Sequence, residues 1–318
     1  MRPNLPTSRS YARQVRALAT TRAGLLVIAL LLAGPAAAQV PPSASASPSA
    51  SPAAATPTQT PREQWPETIE DNSFLIEEAY NQEPGVVQFI FNFFYQRPSR
   101  IWQTSFTNEW PVPDERNQLS YTLPYTIGPF GQLSGVGDVL LNYRYQLCRE
   151  DRQGFALAPR FSLSVPTGSE RKGLGLGAVG YQVGVPVSKR VSKGLAVHFN
   201  LGATYFPGVR VAAATAGHTR TDLWWTSEGT SAIWLASPVL NLVLEAVAYQ
   251  TQVADAPDSK TRVTQAILNP GLRYALNFPS GQLVLGVSVP VGVTRASPDP
   301  SLFLYLSWEA PVWRPGRR

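Results

Sequence analysis

The chain has 318 residues, with 27 Lys and Arg against 21 Asp and Glu. Five of the basic residues and none of the acidic ones lie in the first 38 positions, so the remainder carries 22 basic and 21 acidic groups and a net charge near +1. That balance does not suggest the concentrated basic face of a nucleic-acid-binding protein, and the single cysteine, Cys148, excludes an intramolecular disulfide.

The first 38 residues have the pattern of a secretory signal peptide. Arginines without acids precede an apolar run at residues 24–32, and the small-residue site Ala36-Ala37-Ala38 follows it. The apolar run is shorter than the roughly 20 residues of a membrane-spanning helix. We therefore expect residues 1–38 to be a signal peptide cleaved after Ala38, rather than a retained membrane anchor.

Two segments of biased composition come next. Residues 39–61 are a Pro/Ala/Ser-rich tract that predicts a disordered periplasmic linker. Residues 62–85 are acidic, and we expect one or two helical turns from Ile69 to Tyr80, before Pro84 and Gly85. This acidic N-terminal periplasmic segment either enters a barrel mouth as a plug or remains a solvated arm.

From Val86 to Glu309 the sequence repeats one pattern, about ten alternating apolar and polar residues followed by a break. The spacing of about 19 residues fits a membrane strand of about 9–11 residues plus its connection. We predict an all-β fold, an antiparallel transmembrane β-barrel of about twelve strands over residues 86–311, with a basic C-terminal tail at 312–318. The predicted strands are approximately 86–97, 100–110, 115–126, 136–147, 154–165, 175–187, 194–206, 222–236, 239–250, 262–276, 282–292 and 301–309.

The alternation also predicts which side chains face lipid. Leu141 and Tyr143 share one strand face, while Asn142 and Arg144 share the other. The polar faces hold small residues and few charges, unlike the solvated face of a soluble sheet. Aromatic residues near strand ends suggest girdles at two membrane interfaces: Tyr95, Trp102, Trp110, Tyr125, Tyr205, Trp225 and Trp308.

Several phrases of the sequence resemble a family of outer-membrane transporters grouped with the meta-pathway of phenol degradation. The resemblance implies an outer-membrane barrel and the passage of small apolar or aromatic compounds. Many such barrels end on an aromatic residue, whereas this chain continues past Trp308, so either the assembly signal is internal or Trp313 supplies it. The phrases are DNSFLIEEAYNQEPGVVQF, FTNEWPVPDERNQLSYTLPY, SGVGDVLLNYRYQL, APRFSLSVPTG, IWLASPVLNLVLEAV, LNPGLRYALNF and LFLYLSWEAP.

Charged residues on the polar faces are the candidate functional residues. A charge facing lipid near the membrane midplane costs about 2–4 kcal/mol, so these side chains are expected to face the lumen. There they either line a permeation path or form salt bridges that fill a narrow barrel. The six transport-lumen candidates are Glu109, Asp138, Arg144, Arg160, Glu245 and Arg273.

Catalytic and metal sites have little support in the sequence. His198 lies on a polar strand face, but no recognisable nucleophile motif accompanies it, which favours a lumen hydrogen bond over a lipid hydrolase. There is no Cys/His cluster for a metal, and we expect no cofactor.

The sequence thus predicts a non-enzymatic channel or transporter in the outer membrane of a Gram-negative bacterium, for small solutes. The alternatives are a closed structural or surface-interaction barrel and, less favoured, an outer-membrane lipid hydrolase. The expected partners are outer-membrane lipids, the barrel assembly machinery and a small-molecule solute, with no nucleic acid.

Overall fold

The computed structural model describes residue 69 and residues 71–97, 99–129, 133–212, 218–256, 259–298 and 300–312. The expected signal peptide, the linker and Trp313 lie outside these residues. Within them, no helix is long and apolar enough to cross a membrane.

The described residues form an all-β structure. Its helical parts include a four-residue helix, α1 (Glu150–Gln153), and a 3-10 turn at Glu170–Lys172. The strand segments in chain order are β1 (Val86–Gln96), β2 (Ile101–Pro111), β3 (Asn117–Ile127), β4 (Gly135–Val136), β5 (Val139–Tyr145), β6 (Ala156–Leu157), β7 (Arg160–Val165), β8 (Gly180–Ser192), β9 (Leu195–Ala212), β10 (His218–Ser237), β11 (Leu240–Ala256), β12 (Ser259–Phe278), β13 (Gly281–Ser288), β14 (Val291–Gly292) and β15 (Leu302–Pro311).

The sheet closes into a barrel because its first and last strands pair. β1 and β15 run antiparallel in register from Val86 opposite Pro311 to Tyr95 opposite Leu302. β4 with β5, β6 with β7, and β13 with β14 are successive parts of single positions in the ring, which therefore has twelve strands. Closure pairs main-chain groups that would otherwise be unsatisfied in hydrocarbon. The predicted twelve-stranded antiparallel barrel is confirmed.

The two faces of the wall have the predicted polarity, apolar outside and polar inside. On β11 the side chain of Leu244 is 55% exposed, whereas its neighbour Glu245 is fully buried. On β5, Leu141 is 48% exposed and Arg144 only 4%. A soluble sandwich would bury the leucines, so this inverted pattern identifies the outer surface as the one that meets lipid.

Aromatic pairs mark both rims of the outer surface. Tyr205 and Trp224 stack with ring centroids 4.6 Å apart near one rim, and Trp110 and Tyr121 lie 5.5 Å apart near the other. The prediction that Trp225 belongs to a girdle is wrong. Its ring packs against the inward-facing Phe206, because successive strand residues point to opposite faces and Trp224 takes the outward position.

Four strands are longer than the sequence predicted. The predicted loops between β9 and β10 and between β11 and β12 are partly strand, since pairing continues to Ala212 opposite His218 and to Ala256 opposite Ser259. The alternation of apolar and polar residues is interrupted there, which predicted loops, but two paired strands satisfy each other's main-chain groups. This rim, which carries the longer connections, is called the long-loop end, and the opposite rim is called the short-turn end.

Candidate functional site: a segment inside the lumen

Residues 71–82, which precede β1, lie inside the barrel and are called the lumen segment here. Each of its residues is buried or half-buried, with Asp71 3% and Ala79 0% exposed. It contacts inward-facing side chains on strands all around the ring. The prediction of helical turns from Ile69 to Tyr80 is wrong, because the described residues there have no helix.

The main-chain N–H groups of the lumen segment donate to side chains of the wall instead of to a helix. Glu245 Oε1 accepts from the N–H groups of Leu75 and Ile76, each at 3.0 Å. Asn200 Oδ1 accepts from Glu77 at 2.9 Å. A buried donor must find a partner, and further along the segment these partners are also polar wall side chains: Ser188 Oγ for Ala79, Gln146 Oε1 for Asn81 and Gln118 Oε1 for Gln82.

The carbonyl groups of the segment are bound mainly by two arginines. Arg273, fully buried on β12, donates from Nη1 to the carbonyls of Asp71 and Asn72, both at 2.5 Å. Arg144 on β5 donates to the carbonyls of Glu78 at 3.1 Å and Tyr80 at 2.7 Å. Five donors in a planar fork let one guanidinium satisfy several acceptors at once.

Acidic side chains of the segment face basic side chains of the wall. Glu77 pairs with Arg160, and Glu78 Oε1 lies 3.7 Å from Arg273 Nη2. Asp71 instead accepts hydrogen bonds from the side chains of Gln88, Tyr305 and Ser307. Buried charges need such partners, since removing one member of a buried pair is strongly destabilising.

Four of the six predicted lumen residues therefore meet at the lumen segment: Arg144, Arg160, Glu245 and Arg273. Glu109, 7% exposed, lies one step away, accepting at 2.7 Å from the amide of Gln118, whose oxygen binds the segment. All five face inward and lie in the half of the barrel wall nearer the short-turn end.

Asp138 is separate from this group. It is half-buried at the long-loop end, where its carboxylate accepts from the N–H groups of Gly168 at 2.9 Å and Leu176 at 3.0 Å. These residues belong to the connection between β7 and β8, which packs Leu176 and Ala178 against inward-facing Phe206 and Leu223. Asp138 thus fixes a connection that folds over the inner wall.

His198 has a hydrogen-bond partner on the adjacent strand that the sequence pattern did not predict. Its Nδ1 lies 2.7 Å from Ser188 Oγ on the adjacent strand, and its Nε2 lies 3.8 Å from Glu78. Ser188 is fully buried and also accepts from the N–H of Ala79 at 2.7 Å. The serine and histidine are thus covered by the lumen segment and hold it in place.

Tyr80 connects the lumen segment to the short-turn end. Its hydroxyl donates to Glu150 Oε2 in α1 at 2.6 Å. Burial and this hydrogen bond to a carboxylate raise the pKa of the phenol, so the hydroxyl remains a neutral donor. No group of three or more His, Cys, Asp or Glu side chains among the described residues is placed to bind a metal ion.

The neutral residues that bind the segment were missed as a set. They look like ordinary residues of a polar strand face, and only their position on the inward-facing side distinguishes them: Asn200, Gln118, Ser188 and Gln146. The alternation that located the arginines could have located these amides and the hydroxyl, but not their shared partner, which is more than 30 residues away in sequence.

The family of the chain follows from a sequence comparison. A family model described as "Putative MetA-pathway of phenol degradation" matches residues 79–307, which is more than half of the chain. The chain belongs to this family. The resemblance drawn from the sequence phrases is therefore confirmed, and the match covers the last residues of the lumen segment and the barrel as far as Ser307 in β15. No curated protein matches the chain by sequence.

Comparison with solved structures finds membrane channels and porins among the similar chains. An outer membrane channel from Pseudomonas putida F1 aligns with a TM-score of 0.53 at 13% identity, covering 76% of this chain and 99% of its own. The NanC porin aligns with a TM-score of 0.45 at 12% identity, covering 70% of this chain and 98% of its own. The CymD monoaromatic hydrocarbon channel aligns with a TM-score of 0.30 at 10% identity, covering 72% of this chain and 89% of its own. The closed ring and apolar outer surface place this family member in the bacterial outer membrane.

Proposed function

We propose that the protein is a channel for the passive passage of small solutes across the outer membrane, closed by the lumen segment. The observation that carries the proposal is how the segment is held. Its contacts are hydrogen bonds, ion pairs and apolar packing with inward-facing side chains, whereas the wall is paired around the whole ring by main-chain bonds of its own. The segment can therefore leave while the barrel stays closed on itself.

The position of the segment indicates the direction in which it would leave the barrel. It lies toward the short-turn end, which faces the periplasm in barrels of this type. Displacement in that direction leaves the ring intact and exposes the polar inner faces of the strands. We propose that the five charged residues grouped there, Glu109, Arg144, Arg160, Glu245 and Arg273, then line the path, with Asp138 setting the outer connection.

Small apolar or aromatic compounds are the proposed solutes, on the description of the family. An enzymatic role has less support, because Ser188 and His198 are both buried beneath the lumen segment. If the purified protein cleaved phospholipid and His198→Ala abolished that cleavage, a hydrolase would replace this proposal.

A reversible cross-link tests the closure directly. Ser73 Oγ and Ser231 Oγ lie 2.9 Å apart, one on the segment and one on β10. In a Cys148→Ser background, Ser73→Cys with Ser231→Cys can therefore form a disulfide without a large shift of the main chain. In planar bilayers we expect no conductance steps when the disulfide is oxidised and discrete steps after reduction.

Two controls complete the experiment. The conductance of Ser73→Cys alone in the same background should not change with oxidant, because this variant has no second thiol to form a disulfide. Deletion of residues 71–82 should give a larger, persistent conductance. A correctly folded deletion variant without any conductance would show that the barrel is closed by its own wall and would support the structural alternative.

A further inference from the structure

The side chain of Phe74 occupies a recess in the barrel wall. Two inward-facing glycines on adjacent strands, Gly271 on β12 and Gly286 on β13, form its floor. A Cβ at Gly271 would lie 2.5 Å from Phe74 Cε2, and one at Gly286 would lie 2.6 Å from Cε1. Real side chains do not approach so closely, so the ring fits only because both positions lack a side chain. The recess is called the Phe74 socket here.

The sides of the socket are aromatic. Phe303 and Tyr305 on β15 meet the Phe74 ring edge-on, with centroids 5.7 Å and 6.2 Å away and interplanar angles of 71° and 85°. Edge-to-face contacts favour a planar aromatic ring over an aliphatic group of similar size. The socket therefore selects ring shape as well as apolar character.

A buried hydroxyl beside the socket has no partner. Ser288 is 1% exposed, and its Oγ makes no hydrogen bond within the described part of the chain. A Cβ at Gly271 would lie 2.5 Å from the Cβ of Ser288 and also 2.5 Å from Phe74 Cε2. The Cβ of Ser288 and Phe74 Cε2 are therefore at most about 5 Å apart. The phenyl ring of Phe74 has no polar atom to offer, and an unsatisfied buried hydroxyl is costly.

We propose that the Phe74 socket is a binding site for a single aromatic ring carrying a hydroxyl group, and that such a solute competes with Phe74 and releases the lumen segment. The competition rests on the proposed function, in which release of the segment opens the lumen. The solute reproduces the packing of Phe74 against the glycines and rings, and its hydroxyl can pair with Ser288. Tethering gives Phe74 a high effective concentration, so the wild-type protein binds the solute more weakly than a variant without that ring.

Equilibrium binding of phenol to the full-length protein in detergent, measured by isothermal titration calorimetry, tests the site. We expect Phe74→Ala to bind phenol at least tenfold more tightly than wild type, because the competing ring is gone. Cyclohexanol, which has the hydroxyl without the planar ring, should bind at least tenfold more weakly than phenol. Phe74→Ala combined with Gly286→Leu should lose phenol binding, because the leucine fills the socket.

The hydroxyl contact is tested separately. In the Phe74→Ala background, Ser288→Ala should weaken phenol binding and leave toluene binding unchanged. Equal phenol affinity of wild type and Phe74→Ala, or equal affinity for phenol and cyclohexanol, would overturn the proposal. Phenol binding is measured independently of conductance, so the two proposals are tested separately. Phenol binding by a barrel that never conducts would contradict only the proposed channel. Conductance by a barrel that does not bind phenol would contradict only the proposed binding site.

Discussion

At the scale of single residues, Arg273 shows how the lumen segment replaces regular secondary structure. A strand or helix would satisfy the carbonyls of Asp71 and Asn72 with main-chain donors, but here one fully buried guanidinium does so and also approaches Glu78. Removing the side chain would leave two carbonyls without a donor and a carboxylate without one of its cationic neighbours. Each unsatisfied buried group costs about 1–3 kcal/mol.

We therefore predict that Arg273→Met loosens the lumen segment without opening the ring. Hydrogen exchange of amides 75–82, followed by mass spectrometry, should accelerate by about one to two orders of magnitude, because local opening then requires less free energy. Arg210→Met, at the exposed outer part of β9, is the matched control and should leave that exchange unchanged. If both variants exchange like wild type, Arg273 does not hold the segment.

Residue positions were predictable where alternation alone decides them and not elsewhere. Arg144 and Glu245 were placed inside by parity, and both are buried there. Trp225 was assigned to a girdle because it lies near a strand end, and the alternation of faces along that strand was not applied to it. Glu228 lies exposed on the outer face between Thr226 and Thr230, and nothing in the structure explains a carboxylate at that position.

At the scale of elements, the strands were predictable, but the sequence left two alternatives for the acidic segment, a plug in the barrel mouth and a solvated arm, and it did not predict the extended conformation. In a barrel strand, the alternation of apolar and polar residues predicts which residues share each face. The sequence from Ile69 to Tyr80 has residues that tolerate a helix. A helix would pair its N–H groups with its own carbonyls and leave the acceptors on Glu245, Asn200 and Ser188 without these donors. Long-range partners overrode the local preference, and no local pattern reveals them.

The connection between β7 and β8 offers a prediction at this scale. Asp138→Ala removes the acceptors for the N–H groups of Gly168 and Leu176, so the connection should open more often. Trypsin should then cleave faster after the exposed Arg171 and Lys172, by severalfold in a time course on gels. Wild type and Arg273→Met should share the slower rate. Equal cleavage of Asp138→Ala and wild type would mean that the apolar contacts of Leu176 alone hold the connection.

At the scale of the whole molecule, closure into twelve strands followed from the number of alternating segments. The contents of the lumen did not, because the same inward-facing charges serve an open pore, a salt-bridged interior or a bound segment equally well. The structure distinguishes them by showing the acids of residues 71–82 opposite the arginines of the wall. Bound in this way, the segment places Glu77 beside Arg160 and Glu78 beside Arg273, so two of the wall arginines have an acidic partner.

Ion selectivity should therefore depend on the wall charges once the segment is gone. Without residues 71–82, the grouped lumen residues are three arginines and two glutamates, a net charge of +1, and Arg144→Glu changes this to −1. We predict that reversal potentials across a KCl gradient indicate weak anion preference for the deletion variant and move toward cation preference with Arg144→Glu, since a ring of charges in a pore attracts counterions.

The matched control is Arg220→Glu in the same deletion variant, because Arg220 is exposed on the outward face of β10 and an outward charge is screened from the lumen by solvent. It should leave the reversal potential unchanged. If Arg144→Glu also leaves it unchanged, Arg144 lies off the conducting path. Its three hydrogen bonds to the lumen segment would then be its whole contribution, with the guanidinium holding the closed state and taking no part in the open one.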